Sequence, residues 1–148
     1  MSTNVGDIAD AVLSQVRSAL AGNQGLTFTG QRAYLPAFDL KDLSNNAMQI
    51  IVVPRAVAIE AIARNESQHD YAVDIGVYKK LATTNPAEVD PIMGVVEQLA
   101  ATFDRRQLPA YPAATCIKVE YSHLYSWEQM DQLRQFTAVM TLTFRVIQ

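Results

Sequence analysis

Two histidines, His69 and His123, are the side chains best suited to proton transfer or metal ligation, and with Asp70, Asp74 or Glu120 beside them they would form an acid–base or metal site. Such chemistry needs groups that converge. The two histidines are far apart in the chain and show no ligand-type spacing, so the pattern does not build a site by itself. Cys116 is the single cysteine, and a thiol attacks or ligates only as a thiolate. No helix start or neighbouring cation is evident to lower its pKa, so it reads as a buried, inert thiol. Asp39, Asp42, Glu66, Asp70 and Asp74 are spaced so that no two are fixed on one face, and they read as solvated surface. Gly22, Gly25 and Gly30 lack the strand–turn–helix setting that a phosphate-cradling loop requires. Lys79, Lys80, Arg105 and Arg106 read as solvated charges at element ends. The expectation is a protein without catalytic residues, cofactor or metal: not an enzyme.

Composition points the same way. The chain has 148 residues, the usual size of one domain, and is expected to form a single domain over 1–148 with a core that needs neither disulfides nor metal. Hydrophobic residues make up 49% and charged residues 18%, a surface poor in charge for a protein that stays alone in solution. The formal charge is −3, with no basic stripe, so direct nucleic-acid binding is not expected. A single cysteine suits a reducing compartment. The first ten residues are polar and acidic, and no run of about 18 apolar residues occurs, so neither a classical export signal nor a membrane span is expected.

The elements that would position these residues follow from periodicity. Residues 7–20 place Ile8, Ala11, Val12, Val16, Ala19 and Leu20 on one helical face, with Asn4 as a cap and Gly22 as a stop. Residues 31–43, with Pro36, read as an edge strand or an extended connection. Residues 48–53 are apolar on both faces, as in a strand buried between layers, and Pro54 is expected to end it. Residues 56–63 have helix-forming alanines, yet Val57, Ile59, Ala61 and Ala63 alternate, and a strand is preferred. After a polar turn at 65–68, residues 71–78 alternate as a half-buried strand, so the two strands form a hairpin. Asn85, Pro86 and Glu88 write a capped helix start, followed by a stripe of Val89, Ile92, Met93, Val96, Leu99, Ala100 and Phe103; Pro91 marks a kink or the true start. Residues 115–121 place Ile117, Val119 and Tyr121 on one strand face, and residues 136–147 alternate most regularly of all. Between them, residues 123–134 hold Leu124, Tyr125, Trp127 and Met130, which either pack on the body or face a partner. The expected fold is α+β, a mostly antiparallel sheet of about 4–5 strands with two helices against it, in the order α-β-β-β-α-β-β.

The layout resembles the tail terminator, or tail completion, proteins of tailed bacteriophages and related minor tail and head–tail joining proteins. The matching pieces are the N-terminal helix, the strand ending Ile51-Val52-Val53-Pro54-Arg55, the strand from Tyr71 through Asp74-Ile75-Gly76-Val77 to Leu81, the capped helix, and the closing strand at 136–146. The resemblance implies a virion structural protein, assembled in the host cytoplasm. It would form a homo-oligomeric ring, commonly a hexamer, at the head-proximal end of the tail tube. The implied partners are further copies of itself, the tail tube protein and the head–tail connector protein, with no nucleic acid and no membrane. A filled site, with no bond made or broken, would stop tube growth. On this resemblance, Tyr125, Trp127 and Met130 in the aromatic loop and Asn65, Glu66 and Gln68 at the turn are candidate contacts, since sheet edges and loops are natural contact devices and Tyr and Trp are enriched at interface hot spots. Trp127 capping the core beneath its loop is the competing reading. A head–tail connector or stopper, and a small α+β enzyme or ligand-binding domain with an unrecognised site, are the alternatives.

Overall fold

The computed structural model describes residues 5–21, 28–32, 48–81, 86–123 and 135–147. In chain order the described elements are α1 (Val5–Leu20), β1 (Phe28–Arg32), β2 (Met48–Ala63), β3 (Glu66–Lys80), α2 (Pro86–Phe103), β4 (Gln107–Leu108), β5 (Tyr111–His123) and β6 (Gln135–Ile147). The fold is α+β, with a mixed six-stranded sheet in the order β1-β2-β3-β6-β5-β4. Only β1 and β2 run parallel; the other described pairings are antiparallel.

Both helices cover one face of the sheet. α1 buries Ile8, Val12, Val16 and Leu20, the stripe that its 3.6-residue period sets up, and α2 buries Ile92, Val95, Val96, Leu99 and Phe103. These meet Tyr71, Val73, Ile75 and Val77 of β3 and the inward positions of β6, Phe136, Ala138, Met140, Leu142, Phe144 and Val146. From Ala138 on, β6 alternates between buried and half-buried positions, as a strand between two neighbours with one face on the core must. Phe103 meets Phe144 edge to face at 6.2 Å.

Several expectations are corrected. Pro54 does not end a strand: β2 runs through it, with a register shift between Pro54 and Ala56. Proline costs nothing there because β1 pairs only with residues 48–52, so the missing N–H falls on an unpaired edge or bulge. What reads as two strands, 48–53 and 56–63, is therefore one. The turn is tighter than expected: Arg64 and Asn65 alone make it, and Glu66 and Gln68 already belong to β3. β1 precedes most of the stretch read as an edge strand, and residues 33–43 lie outside the described residues. β4 leaves no periodic signal, being two residues long. The described sheet thus has six strands where four or five were expected. α2 starts at Pro86 and holds Pro91 within it. Its end is marked by Arg105 at φ 58°, the left-handed conformation that closes many helices.

Candidate interaction surface

The face of the sheet away from the helices carries a ladder of paired polar groups. Asp70 accepts two hydrogen bonds from Arg145, from Nε at 2.9 Å and Nη2 at 3.2 Å. Gln68 stands beside the same guanidinium, and exchanging its amide oxygen and nitrogen lets the oxygen accept from Nη2 at 3.0 Å. Asp70, with Glu60 nearby, holds the Arg145 guanidinium above its ordinary pKa. One step along, the Thr141 hydroxyl donates to Asp74 at 2.7 Å, and Arg55 stands 3.6 Å from the same carboxylate. Asp70 and Asp74 do share a face, and each is committed to a cross-strand partner. They stitch β2, β3 and β6 together rather than forming an acid–base pair, and they are half-buried where solvated surface was expected. Farther along, the Tyr78 ring lies over Gly76 and packs with Ile51 and Val53. Burial, then Asp74, pushes the Tyr78 phenol up.

The strand register sets the two histidine positions far apart. His69 lies opposite Val146 and His123 opposite Val139, seven positions apart on β6, which is on the order of 20 Å at the strand rise. His69 stacks on Tyr71, its ring nitrogen 3.4 Å from the phenol oxygen. Cys116 is buried, and desolvation pushes its thiol up to about 11, so it is not a nucleophile at neutral pH. Among the described residues no three His, Cys, Asp or Glu side chains gather as a metal site. An open cleft of about 690 Å³ between α1 and α2 is lined by Gln15, Gln98, Thr102 and Arg106, with no acid–base pair or nucleophile among them.

The sheet edges are the unusual feature. Beyond Val53, β2 leaves the helix-covered body, and every residue from Arg55 to Ala63 is exposed. Val57 and Ile59 keep the core-facing orientation, opposite Tyr71 and His69, but are 43% and 64% exposed. Ile62, at the second register shift, and Ile147 at the end of β6 are exposed at the same end. Among the described residues no strand pairs with the outer side of residues 53–63. The opposite edge is similar. β4 pairs with β5 only at Tyr111 and Thr115, and Ile117 and Tyr121 beyond are exposed. The exposed large hydrophobic residues of the described structure all lie in these two places. An apolar, unpaired strand edge is a ready template for another strand.

Of the candidate contacts, Asn65 and Glu66 are exposed at the hairpin tip, and Gln68 is half-buried beside Arg145. Tyr125, Trp127 and Met130 lie outside the described residues. Sequence reading missed Val57, Ile59 and Ile117 as surface. Their signal was present in the run 56–63, apolar but for Glu60. Ile117 was placed with Val119 and Tyr121, but a register shift between Cys116 and Lys118 takes it out of the alternation, and Cys116 turns inward in its stead. No protein-family model matches the chain, and no curated protein sequence matches it either. No helix among the described residues is long and apolar enough to cross a membrane.

Proposed function

We propose that this chain is a ring-forming structural subunit of a phage tail, of the tail-terminator kind, acting by occupancy. A ring of copies seated on the last ring of the tail tube covers the surface that the next tube subunit would use, and offers its other face to the head–tail connector. The observation that supports this reading is the pair of apolar strand edges left uncovered among the described residues, together with the commitment of Asp70 and Asp74 to cross-strand pairing with Arg145 and Thr141. Surfaces of this kind are built for contact. The layout resemblance supplies the partners and the ring size of six.

Electron microscopy of tubes assembled from a phage tail tube protein, with and without this chain, tests the proposal. Tubes of uncontrolled length in its absence, and capped tubes of regular length in its presence, are the expected result. Regular tubes without it would overturn the terminator role. Finding the protein on the portal assembly and not on the tube end would move it to a connector or stopper.

A further inference from the structure

The two exposed edges fit each other. β2, β3, β6 and β5 alternate in direction, so a sheet continued from β5 of one copy into β2 of the next, helices on the same side, is antiparallel. The described flanking strands do not block it. Among the described residues β1 covers β2 only at 48–52 and β4 covers β5 only up to Thr115, which leaves 53–63 on one edge and 116–123 on the other without a described strand beside them. Register shifts bound the regular parts of these edges, 56–61 on β2 and 118–121 on β5.

Face and charge then select the register. On the helix side lie Val57 and Ile59 of β2, opposite Tyr71 and His69, and Val119 and Tyr121 of β5, opposite Leu142 and Met140. On the far side lie Ala58 and Glu60, and Lys118 and Glu120. Setting Glu60 across from Lys118 places Ile59 across from Val119, Ala58 from Glu120 and Val57 from Tyr121. Sliding by two residues in one direction sets Glu60 against Glu120, a like-charge pair, and in the other carries Glu60 past Lys118 to the irregular stretch at Cys116, where no cation faces it; sliding by one turns apolar side chains to the wrong face. In the chosen register Val57 and Ile59 also stand over an open groove of about 270 Å³ lined by Ala100, Ala101, Asp104, Val119 and Tyr121.

We infer that the partner of the projecting hairpin is a second copy of this chain, residues 57–60 of one copy pairing antiparallel with 118–121 of the next in a head-to-tail contact that repeats around a ring. The inference rests on the ring reading above. A head-to-tail contact uses two different patches once each per copy, which is what two complementary edges on one molecule provide. Four paired residues make a small contact, so assembly depends on ring closure or on a tube end as template.

The test is a disulfide between Ile59→Cys and Val119→Cys in a Cys116→Ser background, with mild oxidation of the full chain at high concentration. Within one copy β3 and β6 separate these positions by about 14 Å, three strand spacings, beyond disulfide reach. A ladder of disulfide-linked multimers is therefore expected to report contact between copies. Glu60→Lys or Lys118→Glu alone is expected to weaken association several-fold, and the two together to restore it. Oligomers that form without this cross-link and without charge rescue would overturn the contact while leaving a ring intact. A chain that neither cross-links nor associates at millimolar concentration would also overturn it, and tail length would then judge the ring separately.

Discussion

Ile50 and Ile59 stand on the same face of the same strand, opposite Val77 and His69, yet one is fully buried in the main core and the other is 64% exposed. Truncating each to alanine measures whether the far half of β2 is uncovered. At Ile50 the loss combines transfer of the removed methyl groups with an incompletely collapsed cavity, about 2–5 kcal/mol. Full burial of such a side chain is worth about 1.5–3 kcal/mol; Ile59 keeps roughly a third of it, so its truncation costs on the order of 0.5–1 kcal/mol. The expected gap is about 2 kcal/mol, or a difference in Tm of about 4–8 °C for a chain of this size. Urea unfolding at low micromolar concentration, where assembly contributes nothing, gives both values with unchanged slope. If Ile59→Ala costs as much as Ile50→Ala in the dilute protein, the hairpin is packed against its own body, and the whole argument for an exposed edge fails. A small cost when dilute that grows with protein concentration is the signature of an interface residue.

Three further outcomes follow from the same geometry. Gly76→Ala sets a Cβ into the Tyr78 ring and is expected to cost about 1–3 kcal/mol by overpacking; in a Tyr78→Ala background the cost should fall to near zero, which a double-mutant cycle checks. The Cys116 thiol, pushed up to about 11 by burial, favours the fold only while neutral. Its contribution is complete below the unfolded value near 9 and is lost as pH rises from there through about 11; urea titrations across that window should show a shallower alkaline decline for Cys116→Val than for the parent chain. Arg105, at φ 58° just past α2, adopts a backbone that glycine takes without strain, so Arg105→Gly is expected to raise stability by roughly 0.5–1 kcal/mol by thermal unfolding.

Elements with one covered face and strong local signals were readable from sequence. β6 alternates because helices cover one side along its length, and α2 begins where proline and an acidic first turn place it. The misreadings share one physical origin: a residue was judged by local chemistry where its neighbours decided. Pro54 is a strand breaker only if its amide is needed, and β1 stops at Val52, just short of needing it. Ile117 belongs with Val119 only if the strand is regular, and the register shift at that point exchanges it for Cys116. β4 is too short to have a period. Asp70 and Asp74 took their partners from β6, more than sixty positions away.

The interaction surface was harder to read for a deeper reason. Alternation of apolar residues reports that something covers one face of a strand, but not whether the cover is a helix of the same chain or an edge of another. Val57 and Ile59 carry the same period as Val73 and Ile75, yet α1 and α2 cover only the second pair. The separating clue is the opposite face. Where β3 and β6 face solvent they set Asp70, Asp74, Thr141 and Arg145 in cross-strand pairs, whereas β2 beyond Arg55 sets Ala56 and Ala58 there, with Glu60 as the one charge on the strand past that point. A solvent-facing hairpin gains nothing from small apolar residues on its polar side. Close approach of another surface does, since alanine leaves room for it and a single glutamate suffices to set register against Lys118.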